Sequence, residues 1–194
     1  MRYKAGHAEE TRIKIREAAA KELRFKGPYR LGVAAVMARA GLTHGGFFRH
    51  FQSKDELVLE AIDQIFLEAK RMFERHTRGR SPRDGLESFV GWYLSRNHTD
   101  ATDDGCPMPA VAGDVWRLSP EARQRFEAGY AMGIRRLALL LRKIGHAEPG
   151  ELAMSIYCEM TGAVTLARSL SDPAARDALL ASARTSVWAR LGLS

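Results

Sequence analysis

Apolar residues recur along the chain at the three- to four-residue spacing of a helix, and no segment alternates convincingly as a strand would. Val33, Val36, Met37 and Ala40 fit one buried stripe of a short helix. The same spacing continues downstream at Leu57, Ala61, Ile62, Ile65, Ala69 and Met72. The pattern therefore predicts an all-α fold.

Capping residues mark where these helices begin. Ser53 to Glu56 form a capping box, in which each side chain satisfies a backbone amide at the helix start. The pairs Ser81-Pro82, Ser119-Pro120 and Asp172-Pro173 join a capping side chain to a proline that suits the first helical position. We expect helices over about residues 8–25, 33–40, 53–75, 119–144, 151–169 and 173–191, with short ones from Thr43, around 86–93 and after Pro107, and a polar stretch over residues 97–105.

The charge is concentrated at the start of the chain. Composition is ordinary for a globular protein, with 45% hydrophobic and 27% charged residues among 194. Residues 1–54 carry 12 Lys/Arg against 4 Asp/Glu, whereas the remainder is close to neutral within a net charge of +7. We call residues 1–54 the head and residues 55–194 the body. A basic head favours a polyanionic partner, although a solvated basic face fits the composition equally well.

Other classes of protein fit the composition poorly. The two cysteines, Cys106 and Cys158, are not arranged as a Cys-x-x-Cys pair, so we expect neither a disulfide framework nor a metal site, and no cofactor. We expect no transmembrane helix or secretory signal, because no apolar run is long enough and the first residues are polar. A reducing cytoplasm fits this cysteine usage.

Residues 41–57, GLTHGGFFRHFQSKDEL, combine features that rarely occur together. A short helix, a glycine-containing turn and a second short helix form a helix-turn-helix unit, whose second helix can enter the major groove of DNA. Gly45 and Gly46 each cost about 1 kcal/mol of helix propensity, which is explained if the backbone must approach DNA closely. Phe47 and Phe51 are expected to pack inward.

The segments TRIKIREAAAKELRFKG and VAAVMARAGLTHGGFFRHFQSKDELVLEAI resemble the DNA-binding region of the TetR family of bacterial regulators. The resemblance implies that Thr43, His44, Gly45 and Arg49 face the groove and that His50 and Lys54 bind phosphates. Two positions depart from the family pattern: Phe48 replaces a usual tyrosine, and Leu31-Gly32 replaces a Thr or Ser pair. Phosphate binding is then expected to depend more on Arg30, Arg2, Lys4 and Arg12. The predicted DNA-binding set is Thr43, His44, Gly45, Gly46, Phe48, Arg49, His50, Lys54 and Arg30.

The resemblance also implies that a long fourth helix joins the head to a helical body that binds a ligand and dimerises through its last two helices. For the dimer interface we expect Leu152, Ala163, Leu180, Val187 and Trp188, although the same apolar pattern would suit the core of one protomer. For the ligand pocket we expect aromatic or flexible apolar residues, namely Trp92, Tyr93, Cys106, Met108, Trp116, Tyr130, Met132, Tyr157 and Met160.

These features together predict a ligand-responsive repressor, not an enzyme, that binds a palindromic double-stranded DNA operator as a homodimer. The effector is an unidentified small molecule. One alternative is a thiol enzyme with Cys106 as nucleophile and His98 as base; another is a membrane-binding adaptor. A third is a repressor that senses electrophiles or oxidants through Cys106, which we expect at a helix cap where the dipole favours thiolate, against the opposing charge of Asp103 and Asp104. We expect Cys158, on an apolar helix face, to be inert.

Overall fold

The computed structural model describes residues 2–193, with side chains from His7 onward. Within that range the chain is helical and contains no strand, which confirms the predicted all-α fold. The helices are α1 (Arg2–Arg30), α2 (Val33–Arg39), a 3₁₀ helix (His44–Arg49), α3 (Lys54–Thr77), α4 (Pro82–Tyr93), α5 (Arg96–Asp100), α6 (Met108–Val115), α7 (Pro120–Lys143), α8 (Pro149–Ser169) and α9 (Pro173–Leu191).

The predicted helix starts are capped by the expected side chains. The hydroxyls of Ser53, Ser81 and Ser119 each accept a hydrogen bond from a first-turn amide, and the carboxylate of Asp172 does the same. The Glu56 carboxylate accepts from the Gln52 amide at 2.6 Å, one residue before the amide expected for a capping box. That bond lowers the pKa of Glu56, and the hydrogen bond from Arg12 lowers it further.

Three local features differ from the prediction. The polar stretch 97–105 contains most of the short helix α5, whose first turn is capped by Ser95. Residues 44–49 form a 3₁₀ helix instead of an α-helix. Pro107, and not Cys106, occupies the N-cap of α6, so the thiol lies one residue outside the position where the helix dipole would act on it most strongly.

The hydrophobic core is divided into two clusters. One cluster holds the apolar side chains of α4, α7, α8 and α9. The other joins α1, α2, the 3₁₀ helix and the first half of α3, and it also includes Val111 and Val115 of α6 and Ala122 of α7. The core of the head is therefore completed by side chains of the body, and a domain boundary at residue 54 stays a prediction.

Candidate nucleic-acid interface and body cavity

The 3₁₀ helix packs on the rest of the head through its aromatic residues. Phe47 is buried and stacks on Phe51, with ring centroids 5.6 Å apart and planes 11° from parallel. Val36 and Met37 belong to the same cluster, and Leu42 packs against it. This inward anchor leaves Thr43, His44, Gly45 and Arg49 exposed on the opposite side, where sequence reasoning expected them to be available to DNA.

The remaining residues of the predicted DNA-binding set lie around this exposed surface. Arg30, Phe48 and Lys54 are exposed, while Gly46 and His50 are partly buried. Phe48 is 74% exposed and meets Phe47 edge to face. Thr43 occupies the N-cap of the 3₁₀ helix, but its side chain makes no capping hydrogen bond. Gly32 occupies the N-cap of α2 without a side-chain cap, as the departure at this position implied.

Neither glycine of the 3₁₀ helix is required by packing within the chain. A Cβ atom built on Gly45 would have no neighbour within 4 Å, and one on Gly46 would be 3.6 Å from the Met37 Cε atom, an ordinary van der Waals distance. Gly45 is exposed and Gly46 partly so. The absent side chain of Gly45 therefore leaves room on the outer side of the helix, where another molecule can approach the backbone.

Arg12 does not fit the phosphate-binding role that was expected for it. Its guanidinium pairs with Glu56 at 2.7 Å and with Glu60, donates to the His50 carbonyl oxygen, and lies 4.3 Å from the centroid of the Phe51 ring. Arg12 instead fixes α1 to α3 and to the end of the 3₁₀ helix. The side chains of Arg2 and Lys4 lie outside the described residues.

The body contains a cavity between α3, α4, α7 and α8. The space between its wall atoms, including the opening to solvent, is about 500 Å³. Only about 30 Å³ of this space is wide enough for the centre of a water molecule. Four of the predicted pocket residues line it, namely Trp92, Tyr93, Cys106 and Tyr157. The other wall residues were not predicted as pocket residues: Phe66, Ala69, Met72, Phe73, Phe89, Gly129, Gly133, Arg136 and Leu137. Ala69 and Met72 belong to α3, which the sequence predicted as the long fourth helix. Their apolar spacing was the signal that could have placed this helix in the cavity wall.

The other predicted pocket residues lie elsewhere. Trp116 and Met132 are exposed and do not line the cavity. Met160 is fully buried in the body core, and Met108 and Tyr130 pack against that core. Helical spacing placed these residues on the correct elements, but it cannot distinguish a core position from a cavity wall.

Cys106 lies in a buried hydrogen-bonded cluster. Its Sγ atom is 3.3 Å from the Tyr157 hydroxyl, and its amide donates to His98 Nε2 at 3.0 Å. His98 Nδ1 lies 2.7 Å from the Tyr93 carbonyl oxygen, so Nδ1 must carry the proton. Burial lowers the pKa of His98 to about 4, which keeps the ring neutral.

These contacts correct both thiol hypotheses. Burial raises the pKa of Cys106, the opposite of the expected thiolate stabilisation. The basic nitrogen of His98 already accepts a backbone amide, so His98 is not placed to deprotonate the thiol. Cys158 is exposed on α8, and not on an apolar face as expected.

Three of the five predicted interface residues also need correction, while the position of the interface stays a prediction. Ala163, Leu180 and Val187 are buried in the core of a single protomer, and Leu152 and Trp188 pack against that core. A substitution such as Trp188→Asp would therefore disturb the fold of the protomer. The outer sides of the last two helices carry other residues, which include Met154, Cys158, Thr165 and Leu166 on α8 and Ala181, Ser182, Thr185 and Ala189 on α9.

A loop of the body contacts the head directly. Asp103 lies three residues before the cavity residue Cys106, and its carboxylate pairs with Arg39 of α2 at 3.1 Å. The Asp103 carbonyl oxygen accepts from Arg24 of α1 at 3.4 Å, and Arg24 also pairs with Glu68 of α3 at 2.6 Å. The segment that ends at the cavity wall is thus held by two helices of the head.

Two further properties concern membranes and metals. Among residues 2–193, no helix has both the length and the apolarity needed to cross a membrane. No group of three or more His, Cys, Asp or Glu side chains in the described part of the chain is arranged to hold a metal ion.

Comparison with known proteins gives concordant matches. Residues 15–61 match the family profile "Bacterial regulatory proteins, tetR family". The chain is 25% identical over 138 residues to an uncharacterized HTH-type transcriptional regulator, YfiR, of Bacillus subtilis, a match that covers 71% of this chain and 66% of YfiR, just under two thirds of that protein.

Solved structures match over almost the whole chain. A TetR transcriptional regulator from Chloroflexus aurantiacus is 25% identical, with a TM-score of 0.82 and coverage of 99% of this chain and 97% of that one. NemR of E. coli in its reduced form is 21% identical, with a TM-score of 0.76 and coverage of 92% and 95%, and this likeness concerns the fold alone.

Proposed function

We propose that the chain is a TetR-family repressor, in line with the match of residues 15–61 to the tetR family profile and the fold shared with a TetR regulator. It binds a palindromic operator as a homodimer and releases it when a small molecule enters the body cavity. One observation carries the DNA-binding part: the exposed glycine of the 3₁₀ helix, Gly45, is not required by any neighbour in the chain. Backbone that can be approached closely, beside exposed His44 and Arg49, suits a surface inserted into the major groove.

Within this proposal the predicted DNA-binding residues have two roles. Thr43, His44, Gly45 and Arg49 read base edges or line the groove, while Arg30, His50 and Lys54 bind phosphates, with Gly46 and Phe48 at the edge of the contact. Phosphate contacts set position and affinity, whereas base contacts set sequence preference. Phe48 has no hydroxyl to donate to a phosphate, so it contributes an apolar contact only.

The proposed dimer uses the exposed sides of α8 and α9. On α9 the exposed residues Ala181, Ser182, Thr185 and Ala189 are small and recur at helical spacing, which lets a second helix approach closely. On α8, Met154 and Leu166 are large apolar residues left exposed in one protomer. Two copies joined through these surfaces would form a four-helix bundle about a twofold axis.

The proposed ligand response depends on contacts between cavity and head. Phe66 lies in the cavity wall and belongs to α3, the helix that begins at Lys54 beside the 3₁₀ helix. Asp103 and Cys106 belong to one loop, which reaches from Arg39 to the cavity. A ligand that moves these walls would shift the two heads relative to each other, and coupling of about 1–3 kcal/mol is the usual scale for such a response.

Selection of bound duplexes from a random DNA pool tests this function. We expect a palindrome whose half-sites are about 34–36 Å apart, close to one helical turn, and an affinity that falls steeply with salt. Recovery of sequences without two-fold symmetry would contradict the dimeric arrangement. Binding that shows no sequence preference would contradict the proposed regulatory function.

A further inference from the structure

Six of the thirteen residues in the cavity wall are aromatic. Phe73 and Phe89 meet edge to face at 4.9 Å between centroids, and Phe89 meets Tyr93 in the same manner at 5.8 Å. Trp92, Phe66 and Tyr157 complete this part of the lining. Edge-to-face packing is the arrangement that aromatic rings prefer, and a planar apolar ligand can continue it.

One wall residue carries a full charge. Arg136 lines the cavity together with twelve residues that include no acidic side chain. Arg136 has no ion-pair partner among residues 7–193, whereas Arg125 on the same helix pairs with Asp63 and Glu121. A cation in a wall without a compensating anion favours a negatively charged guest and disfavours a positively charged one.

A hydroxyl donor lies beside this cation. A Cβ atom on Gly133 would be 3.6 Å from the Tyr157 hydroxyl, and Arg136 follows Gly133 by three residues on the same side of α7. Burial raises the pKa of Tyr157 well above its usual value, so the hydroxyl keeps its proton and can donate it in a hydrogen bond. Arg136 and Tyr157 together provide the donors that one carboxylate accepts.

We propose that the cavity binds a small aromatic monocarboxylate, whose ring lies among the aromatic side chains and whose carboxylate is bound by Arg136 and the Tyr157 hydroxyl. This inference rests on the proposed function, because it names the class of effector for the cavity of the body. A single carboxylate matches the single cation. A dianionic phosphate ester would leave a second charge without a partner, and an amine would meet Arg136 as a like charge.

The small free space adds a condition on how this ligand enters. About 30 Å³ accommodates little more than one or two water molecules, so an aromatic acid must displace part of the wall. Phe66 is tightly packed in the wall, because a Cβ atom on Gly129 opposite it would lie only 2.2 Å from its ring. Entry of the ligand would therefore act on α3 through Phe66.

The test is a binding series with the full-length protein. Benzoate, phenylacetate and 2-naphthoate are titrated by calorimetry beside the amide of each acid and 2-naphthylmethylamine. At least one acid should bind at millimolar concentration or below, more tightly than its amide by about tenfold or more, since a charge-assisted hydrogen bond contributes about 1.5–3 kcal/mol. The amine should bind more weakly still.

Two matched variants localise the charge effect. Arg136→Met removes the wall cation, and Arg135→Met makes the same change at the adjacent exposed residue. We expect Arg136→Met to abolish the preference for acid over amide and Arg135→Met to retain it, with the unfolding temperature of each variant recorded to confirm folding. Failure of all three acids to bind, equal binding of the amides, or an unchanged preference in Arg136→Met would overturn the inference.

Operator affinity measured on the same samples without ligand separates the two proposals. If no acid binds but the wild-type protein still binds a palindromic operator, the ligand class is wrong and the regulatory function stands. If specific DNA binding is absent, the proposed function itself is wrong.

Discussion

Gly45 lies on the exposed side of the 3₁₀ helix, and no atom of the chain is within 4 Å of the place where a Cβ atom would be. Stability alone would therefore favour a residue with a side chain, because glycine costs conformational entropy on folding. If residue 45 is a glycine because DNA approaches its backbone, a side chain at this position should weaken DNA binding without lowering the stability of the fold.

We expect Gly45→Ala to leave the unfolding temperature unchanged or slightly raised and to weaken operator binding, because the added methyl group occupies the approach to the groove. Gly113→Ala is the matched control, since Gly113 of α6 also has no neighbour within 4 Å and lies in the body. That variant should retain full operator affinity. Thermal unfolding and fluorescence anisotropy with operator DNA measure the two effects, and unchanged affinity in Gly45→Ala would contradict the proposed close approach.

His50 and Lys54 are assigned to phosphates, which carry no sequence information. His50→Ala/Lys54→Ala should weaken binding to all duplexes alike and reduce the slope of log affinity against log salt by about 0.9 for each phosphate that the protein no longer neutralises. Arg49→Ala should instead relax preference at particular base pairs. Lys143→Ala/His146→Ala changes the same residue types at the end of α7 and should leave the slope unchanged. An equal slope in the head variant and wild type would show that the phosphate assignment is wrong.

His98 is a buried neutral histidine, and its pKa of about 4 lies below the usual 6.5. The folded state therefore binds this proton less readily than the unfolded state does. The free energy of unfolding therefore has its full value above about pH 6.5 and decreases as the pH falls toward 4. The total decrease due to His98 is about 3 kcal/mol. His98→Gln should be less stable at neutral pH but should lose less stability over this interval. Urea unfolding at several pH values measures the difference, and parallel pH profiles would contradict it.

At the scale of secondary-structure elements, α3 and α7 are in tight contact where Phe66 packs on Gly129. A Cβ atom on Gly129 would be 2.2 Å from the Phe66 ring, far inside contact distance, whereas one on Gly133 would be 3.6 Å from the nearest atom, the Tyr157 hydroxyl. The two glycines lie one turn apart on the same helix and thus provide a matched pair.

We expect Gly129→Ala to lower the free energy of unfolding by about 1–3 kcal/mol, because overpacking outweighs the gain in helix propensity. Gly133→Ala should instead raise it by up to about 1 kcal/mol. Operator affinity should also fall in Gly129→Ala, since displacement of Phe66 displaces α3. Urea denaturation and operator titration measure both effects; equal stability changes in the two variants would contradict the close contact.

The sequence predicted most element boundaries because their causes are local. Ser53, Ser81, Ser119 and Asp172 cap the amides of their own helices, so the signal and the structure occupy the same few residues. The short helix α5 has a local cap of the same kind, Ser95, but it lies mostly in the polar stretch 97–105, where no apolar spacing marks a helix. Its last turn is held by Arg168 of α8, which donates to the carbonyl oxygens of His98, Thr99 and Ala101 from about 70 residues away.

The predicted sites also divide into those with local causes, which the sequence shows, and those with distant causes, which it does not. The outward position of His44 and Arg49 followed from the inward periodicity of Phe47 and Phe51. The interface residues could not be assigned, because Leu180 and Val187 have the apolar spacing that serves a protomer core and a dimer contact equally. Arg136 was also missed, since a charged residue on an amphipathic helix carries no local sign that it lines a cavity.

At the scale of the whole molecule, the exposed apolar residues indicate where a second copy would bind. Leu166 on α8 is 59% exposed, and Leu139 on α7 is 54% exposed, so a charge at either position should be tolerated by a single protomer. Only Leu166 belongs to the two helices that are proposed to form the dimer.

Leu166→Arg should therefore dissociate the homodimer and abolish tight operator binding, because two arginines would meet in an apolar contact about the symmetry axis. Leu139→Arg should remain dimeric. Sedimentation velocity measures the mass, and circular dichroism confirms that each variant is folded. A dimer of unchanged stability in Leu166→Arg would place the interface elsewhere.

The shared core of head and body bears on the construction of hybrid regulators. Val111, Val115 and Ala122 complete the cluster of apolar side chains around α1 and α2, so residues 1–54 do not contain the whole of their own hydrophobic core. A chimera that joins only residues 1–54 to a foreign protein would expose the apolar surface that these three side chains cover. A chimera that also carries α6 and the start of α7 would keep this surface covered. Hybrid regulators that combine one protein's DNA specificity with another's effector response should therefore be joined outside these segments.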